Sequence, residues 1–267
     1  MRHGAVVALA ATTLALVLTG CAASGTGSAT SAGVAPLPAD AVVDYQLGGA
    51  YPPPDGVTVV ARDSTDEPAE GIYSICYVNG FQTQPGADWP SELVLHDASG
   101  AEVFDPGWPD ERLLDIRTAE NRERAAAEIG RAIEGCADDG FEAVEFDNLD
   151  SYTRSSGAFG LEEAVAFATL LVDRAHASGL AAGQKNTPQL GERGRDDVGF
   201  DFAVAEECVH YEECGAYTDA YGQQVIDIEY EGSLEQICTD PERPAGTVLR
   251  DRDLTPAGEP AHVYEHC

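Results

Sequence analysis

Positive charge is scarce in this chain. Its 267 residues include 15 lysine and arginine residues against 47 aspartate and glutamate residues, for a formal net charge of −32. A surface with this balance repels nucleic acid and anionic membranes, so we expect no nucleic-acid partner. A cationic substrate would be attracted, although the same composition is typical of a salt-tolerant or highly soluble surface.

Long apolar runs and several common site motifs are also missing. The apolar run at residues 5–18 is too short for a transmembrane helix, and no later run is long enough to span. The chain has no phosphate-binding GxGxxG or Walker loop and no CxxC pair, and its six histidines are scattered. We therefore expect neither a metal nor an organic cofactor. No Ser-His-Asp or Cys-His arrangement stands out either.

The amino terminus has the pattern of a bacterial lipoprotein signal. Arg2 precedes the apolar run, which ends in small residues before Cys21. This pattern predicts a signal peptide over residues 1–20 and a lipid on Cys21. An ordinary secretory signal, with Cys21 incidental, is the alternative. We expect an exported protein at the cell surface that contacts the membrane through its lipid only.

A tether and one folded domain follow the predicted signal. Residues 22–40 are mainly alanine, serine, glycine, threonine and proline, which cannot bury enough apolar surface to fold. We predict a flexible tether over residues 21–40 and a single domain over residues 41–267. We expect this domain to be a monomer.

Six cysteines remain after Cys21, and an even number in an exported chain argues for disulfides. Sequence alone allows fifteen connectivities. The pairing that we prefer is Cys76–Cys136, Cys208–Cys214 and Cys238–Cys267.

Short apolar runs alternate with helical patterns along the domain. Predicted helices cover Arg122–Ala137 and Leu161–Ser178, with shorter ones at 208–221 and 233–238, and residues 112–116 form an extra strand or a loop. Eight such strands with crossovers predict a (β/α)8 TIM barrel, and an open doubly wound sheet is the alternative. The predicted strands are Val42–Leu47, Val57–Ala61, Ile72–Val78, Ala143–Asp147, Ala181–Gln184, Phe202–Ala205, Val225–Ile228 and Thr247–Leu249.

Residues 141–155, FEAVEFDNLDSYTRS, are the most informative segment. If the segment begins as a strand, Glu145 and Asp147 share a face with Phe141. Acids on an apolar face are costly unless they are paired or functional. An Asx-rich turn or helix cap would also explain the polar residues that follow.

Polar residues recur where the predicted strands end, which is the face that carries the active site in a TIM barrel. Each alone is explained by a cap or a surface ion pair, but their recurrence favours one shared site. Carboxylates dominate, and paired carboxylates are the usual equipment of glycoside hydrolysis. The strand-end groups are Arg62-Asp63, Tyr77 with Asn79, 147–150, Lys185-Asn186, Glu206-Glu207, Glu229-Tyr230 and Arg250-Asp251.

Eight blocks in order resemble glycoside hydrolase family 114, which contains endo-α-1,4-polygalactosaminidases. They are DYQLGG (44–49), VVARD (59–63), YSICYVNGFQTQP (73–85), LLDIRT (113–118), GFEAVEFDNLDSYTRS (140–155), GLAAGQKN (179–186), FDFAVAEECVHYEEC (200–214) and IDIEY (226–230). The resemblance implies a barrel enzyme that cleaves galactosamine-rich exopolysaccharide. Such a polymer is cationic when de-acetylated, in agreement with the acidic composition.

The resemblance also implies site roles. Asp147 and Glu206 match the catalytic pair, with Asp147 as nucleophile and Glu206 as proton donor, although a slip of one residue would exchange Glu206 and Glu207. Lys185 beside Asp147 would keep that carboxylate ionised. The expected sugar-binding or supporting residues are Arg62, Asp63, Tyr77, Asn148, Asp150, Tyr152, Lys185, Asn186, Glu229 and Tyr230.

Two other functions stay open from the sequence. One is a barrel hydrolase for a different amino-sugar or α-linked glycan. The other is a surface lipoprotein that binds glycan without cleaving it, although the presence of both Asp147 and Glu206 argues against it.

Overall fold

The computed structural model describes Met1, Gly4 and residues 33–267. Eight parallel strands each pair with the next along the chain. This sequential order confirms the (β/α)8 prediction and excludes the doubly wound alternative. The strands are β1 (Val43–Tyr45), β2 (Val59–Asp63), β3 (Tyr73–Asn79), β4 (Ala143–Asp147), β5 (Ala181–Lys185), β6 (Phe202–Glu206), β7 (Val225–Glu229) and β8 (Gly246–Arg250).

The barrel is nearly closed, and in the described chain β1 and β8 approach each other without pairing as strands. A side-chain carbon built on Gly246 would lie 3.4 Å from Val43 Cγ2, so glycine allows a close approach there. Above it, Arg250 Nη1 lies 3.3 Å from Asp44 Oδ1 and both side chains are fully buried. Arg250, which the sequence placed with the converging strand-end groups, thus pairs across the seam. A ninth strand that the sequence did not predict, β9 (Tyr264–His266), pairs antiparallel with β8.

The predicted helices are present, except that residues 208–213 of the helix predicted over 208–221 form turns and loop. They are α1 (Ala119–Asp139), α2 (Leu161–Ala177), α3 (Cys214–Tyr221) and α4 (Leu234–Thr239). The Thr118 side chain caps α1 by accepting from the Asn121 N–H, and Gly140 ends it with φ of 97°. Short 3₁₀ turns cover Ser91–Leu93, Leu149–Arg154 and Pro188–Leu190, and a π turn covers Gly194–Val198.

Alternation along each strand produces two apolar layers. Inside the barrel, Ala143 packs with residues such as Ile75 and Val204. Val144 and Phe146 on the same strand face outwards and join the layer under α1 and α2. The alternation therefore directs Glu145 and Asp147 into the barrel interior.

The connection between β3 and α1, residues 80–118, contains the segment predicted as strand or loop. Single antiparallel bridges join Leu113 to Gln82 and Leu114 to Val94, outside the barrel strands. This connection brings Glu111 to the carboxyl end of the barrel, where Asn79 Nδ2 donates to Glu111 Oε2 at 2.7 Å.

The three predicted disulfides are confirmed. Cys76–Cys136 joins β3 to α1, Cys208–Cys214 closes the turn before α3, and Cys238–Cys267 joins α4 to the last residue.

Residues 33–40, the end of the predicted tether, lie against the barrel. Leu37 is buried with the interior apolar layer, and its carbonyl accepts from Gln224 Nε2 at 3.2 Å. The Tyr73 hydroxyl donates to the Ala35 carbonyl at 2.8 Å. Residues 33–40 are therefore packed against the barrel, whereas a flexible tether was predicted there. The difference arises because Leu37 is an apolar residue that the barrel buries. The predicted signal peptide, Cys21 and residues 22–32 lie outside the described residues. Within the described part, no helix is long and apolar enough to cross a membrane.

Candidate active site

Asp147 and Glu206 end β4 and β6 at the same end of the barrel. Both strands reach the interior through alternate residues, since Ala143 and Val204 belong to the interior apolar layer. The carboxyl ends of parallel barrel strands form one face, so the two carboxylates meet there.

Lys185, at the end of β5, joins the two carboxylates. Its Nζ lies 3.6 Å from Asp147 Oδ2 and 3.3 Å from Glu206 Oε2, and its side chain is 2% exposed. Burial alone would lower the pKa of Lys185, but the carboxylates of Asp147, Glu206 and Glu145 outweigh it and hold that pKa well above its usual value. The ammonium is therefore charged and shared. Lys185 is also the only lysine in the sequence.

The Asp147 carboxylate is held by two further donors. The Tyr77 hydroxyl donates to Oδ2 at 2.8 Å, and the Asn148 backbone N–H donates to Oδ1 at 2.7 Å. Burial and the neighbouring Asp147 raise the pKa of Tyr77 well above its usual value, so its hydroxyl stays a donor. These donors hold the Asp147 carboxylate in one orientation.

Glu206 is held on both carboxylate oxygens. The Tyr230 hydroxyl donates to Oε1 at 2.6 Å and Asn186 Nδ2 donates to Oε2 at 2.8 Å. Burial opposes ionisation, but Lys185, Tyr230 and Asn186 outweigh it and lower the pKa of Glu206. The resting site therefore holds Glu206 as a carboxylate. Tyr77, Lys185, Asn186 and Tyr230, all predicted site residues, are brought together around the pair.

Glu207 turns away from this group. Its φ of 59° reverses the chain after β6, and its Oε1 accepts from Arg252 Nη2 at 2.9 Å. Glu206, and not Glu207, therefore lies beside Lys185, and the assignment of Glu206 as proton donor stays a prediction.

A polar network extends from Asp147 towards the β3–α1 connection. Asn148 Nδ2 donates to Asn79 Oδ1 at 3.1 Å, and Asn79 in turn binds Glu111. Burial and the charge of Asp147 raise the pKa of Glu111 against the Asn79 hydrogen bond. Glu111 is not among the predicted site residues, because nothing in the sequence shows that residues 80–118 return to the carboxyl end of the barrel.

Asp150 and Tyr152 lie in the 3₁₀ turn after β4. Asp150 Oδ2 accepts from Arg154 Nη1 at 2.8 Å, and Arg154 also pairs with the buried Asp105. Tyr152 is half-buried and packs against the apolar layer outside the barrel. Their predicted contacts with sugar stay predictions.

Arg62 and Asp63 are engaged by the protein itself. The Arg62 guanidinium is buried and donates to Gln46 Oε1 at 3.0 Å and to the carbonyls of Tyr51 and Glu67. Asp63 Oδ1 accepts from the backbone and hydroxyl of Thr65 at 2.9 and 2.7 Å. The donors of the Arg62 guanidinium therefore bond to groups of the protein itself, contrary to the expected contact with sugar.

Glu229 faces away from the barrel interior. Its neighbour Ile228 belongs to the interior layer, and alternation sends Glu229 outwards, where its Oε1 accepts from the Val209 N–H at 2.8 Å. Glu229 therefore lies on the other side of the barrel wall from Tyr230, whose hydroxyl bonds to Glu206, and the expected sugar contact of Glu229 stays a prediction.

A third carboxyl group in the barrel interior belongs to Glu145, which lies two residues before Asp147 on the same face of β4 and is fully buried. Burial raises the pKa of Glu145 to about 8, although Lys185 acts in the opposite direction. The sequence had marked Glu145 as an acid on an apolar face but gave it no role.

One group of metal-ligating side chains occurs in the described part of the chain, formed by Cys208, Cys214 and Asp227. The two cysteines are joined as a disulfide, so they offer no thiolate. This group does not fit a metal site.

Two solved structures share this fold. The structure of Ega3 from Aspergillus fumigatus in complex with galactosamine is 21% identical, with a TM-score of 0.68 over 86% of this chain and 96% of that chain. The glycoside hydrolase domain of PelA from Pseudomonas aeruginosa is 12% identical, with a TM-score of 0.57 over 85% of this chain and 99% of that domain. No curated protein sequence matches the chain.

The family comparison covers nearly the whole chain. The model of glycoside-hydrolase family GH114 matches residues 24–267. The chain therefore belongs to glycoside-hydrolase family GH114 and is a glycoside hydrolase, as the sequence resemblance implied.

Proposed function

We propose that this glycoside hydrolase cleaves α-1,4-linked galactosamine-containing polysaccharide, with Asp147 as nucleophile and Glu206 as acid/base. The observation that carries the proposal is the buried ammonium of Lys185, which lies 3.6 Å from Asp147 and 3.3 Å from Glu206 at the mouth of the barrel. Paired carboxylates across a glycosidic bond are what the reaction needs.

The reaction is proposed to proceed in two displacements. An Asp147 oxygen bonds to the anomeric carbon while the glycosidic bond breaks, and Glu206 gives its proton to the leaving oxygen. Water then attacks the glycosyl ester as Glu206 takes a proton from it, which releases the sugar and restores both residues. Anomeric configuration is retained in this scheme. We favour this route over an inverting one because oxygens of Asp147 and Glu206 lie 3.6 and 3.3 Å from one shared ammonium, and retaining enzymes hold their carboxylates closer together, about 5–5.5 Å apart against about 6.5–9.5 Å in inverting ones.

Glu206 needs a proton for the first displacement. The pKa of Glu206 is lowered in the resting site, so the protonated fraction falls as pH rises through that lowered value. The value of kcat/KM for polymer is therefore expected to be highest on the acidic side of neutrality.

The acidic composition supports a cationic substrate. A de-acetylated galactosamine polymer carries one ammonium per sugar, and a net charge of −32 would raise its concentration near the protein. The neighbouring Ega3 structure holds galactosamine, which supports the same choice of sugar. Raising the salt concentration, or acetylating the polymer, should then slow cleavage because the attraction is screened or removed.

Location at the outer cell surface is part of the proposal. The motif that ends at Cys21 supports lipidation, and two acyl chains give stable anchoring where one is marginal. Cys21→Ala should release the protein from membranes or leave it unprocessed. Membrane association as tight as that of the unaltered protein would exclude the lipid anchor.

Release of reducing ends from a glycan panel tests the substrate. The panel contains α-1,4-galactosamine polymer, its N-acetylated form, a β-linked glucosamine polymer and an uncharged α-glucan. We expect the fastest release from the free-amine galactosamine polymer, with Asp147→Asn inactive and folded. Faster cleavage of another member would assign a different glycan, and binding to a polymer without any reducing ends would favour the non-catalytic alternative. Proton NMR of the first product formed reads its anomeric configuration.

A further inference from the structure

Glu145 is a buried carboxyl for which the two-displacement reaction has no use. It lies inside β4 with its side chain fully buried, two residues before Asp147. In the register of the barrel its neighbours are Tyr77 on β3 and Gly183 on β5. Among the described residues, neither of its carboxyl oxygens has a hydrogen-bond partner.

The surrounding charges leave no counterion for an ionised Glu145. Lys185 is already within ion-pair distance of Asp147 and Glu206, and the described residues form no salt bridge with Glu145. A third carboxylate would therefore be buried without a counterion, which is costly. The titratable groups that face this level of the interior are Tyr45 on β1, Tyr77 on β3, Asp147 on β4, Lys185 on β5, Glu206 on β6 and Tyr230 on β7.

We propose that Glu145 is a positioning residue, held as a neutral carboxylic acid beneath the catalytic pair so that Lys185 is shared by Asp147 and Glu206 alone. This inference rests on the proposed roles of those two residues. The buried Tyr45 hydroxyl, which approaches Glu145 without a well-formed hydrogen bond and has no partner within the described chain, is the group that the acid proton can bond.

The pH dependence follows from this arrangement. The pKa of Glu145 is raised to about 8 by burial, so the acid is neutral at pH 6 and ionises above pH 8. Once ionised, it attracts the Lys185 ammonium down from the catalytic pair. Activity is then lost above pH 8 in addition to any loss caused by deprotonation of Glu206.

Glu145→Gln tests the proposal because glutamine is a neutral group of the same shape. At pH 6 its kcat/KM should lie within about twofold of the unaltered enzyme, since no interaction of an ionised group is lost. The ratio of variant to unaltered kcat/KM should then rise at least threefold between pH 7 and pH 9. Titration of the substrate and of Glu206 affects both enzymes and largely cancels in this ratio. Glu134→Gln, at an exposed site on α1, is the matched control and should give a constant ratio.

Two outcomes would overturn the proposal. One is a folded Glu145→Gln enzyme that loses more than 100-fold at pH 6, because the ionised form would then be required. The other is a ratio that does not change between pH 7 and pH 9.

A second measurement on the unaltered protein needs neither a variant nor substrate. Carbon-13 NMR of glutamate carboxyls should show one group that titrates near pH 8. If every glutamate carboxyl titrates below pH 6, the proposal is wrong whatever the glycan specificity. An enzyme inactive on the whole panel but with the pH 8 titration would instead count against the proposed function alone.

Discussion

Lys185 Nζ lies 3.3 Å from Glu206 Oε2, and the chain has no other lysine. The Lys185 side chain is 2% exposed, so its ammonium is largely shielded from water and salt. A protein with 47 acidic residues has thus placed its one lysine where two of them converge. This position favours a lysine that orders the proposed catalytic pair, Asp147 and Glu206, over one that only adds charge to the surface.

Lys185→Met should impair both activity and stability. Removing the ammonium leaves the half-buried Asp147 and Glu206 carboxylates without their cation, which should lower the free energy of unfolding at pH 7 by less than the about 3–5 kcal/mol of a fully buried pair. The cost should shrink at pH 4, because Glu206 takes up a proton more readily once Lys185 no longer lowers its pKa. The value of kcat/KM should fall at least ~100-fold, the order for loss of one preorganised electrostatic group.

Urea denaturation at the two pH values and initial rates on polymer would measure these effects. Arg131→Met, at an exposed position of α1, is the control for removal of one positive charge. Normal kcat/KM in a folded Lys185→Met protein would contradict the role given to Lys185.

Substitution of Glu206 and of Glu207, at the end of β6, tests which of the two glutamates is the proton donor. Glu206→Gln should lower polymer hydrolysis by ~10²–10⁴-fold, the usual contribution of a general acid. It should recover much of that rate on aryl glycosides with good leaving groups, which need no proton. Glu207→Gln should keep near-normal rates, because Glu207 pairs with Arg252 outside the catalytic group. Initial rates of both variants on polymer and on aryl glycosides distinguish the two residues. An inactive Glu207→Gln variant together with a Glu206→Gln variant of normal activity would assign the proton donor to Glu207.

The barrel strands could be predicted because each is a short, mainly apolar run followed by polar residues. The predicted β4 coincides with the observed Ala143–Asp147, and the predicted β6 ends one residue early. β9 could not be predicted, since its three residues are largely exposed and its pairing with β8 is set by tertiary structure.

The site residues that lie at strand ends could be predicted from the sequence, whereas those in loops could not. Alternation alone could have separated Tyr230 from Glu229, because adjacent strand residues face opposite sides. Arg62 was misassigned because a sequence does not show that nearby carbonyls use its donors. Glu111 reaches the mouth through a long connection whose return path depends on packing. The single lysine was a usable signal, since its position in a strand end among so many acids pointed to Lys185.

The Cys76–Cys136 disulfide should contribute strongly to stability. It spans 60 residues and both cysteines are buried between β3 and α1. The chain-entropy model gives about 4 kcal/mol for a loop of this length. Urea denaturation of the double Cys→Ser variant should show a loss of that order. The corresponding Cys208–Cys214 variant, which opens a separation of six residues, should lose less. Equal losses would show that loop length does not determine the effect.

Asp227 and Glu229 should make the fold less stable as pH rises above the unfolded-state pKa of aspartate. Both face outwards from β7, where Asp227 Oδ1 accepts from the Cys208 N–H at 3.1 Å and Glu229 accepts from Val209. Burial raises the pKa of Asp227 well above its usual value, and the adjacent Glu229 adds to the shift. A carboxyl with a raised pKa contributes stability that is fully present below its unfolded-state pKa and is lost as pH rises through its folded-state pKa.

Asp227→Asn should therefore be increasingly stabilising as pH rises. Asparagine keeps an oxygen for the Cys208 N–H and never ionises, so the variant escapes the cost of a buried second charge beside Glu229. Between the unfolded and folded pKa values, the difference in unfolding free energy should grow by about 1.4 kcal/mol per pH unit for one proton. Urea denaturation at pH 4, 5, 6, 7 and 8 measures this slope. Asp219→Asn, exposed on α3, should give a flat line. A difference for Asp227→Asn that stays constant from pH 5 to pH 8 would mean that Asp227 is already ionised in the folded protein.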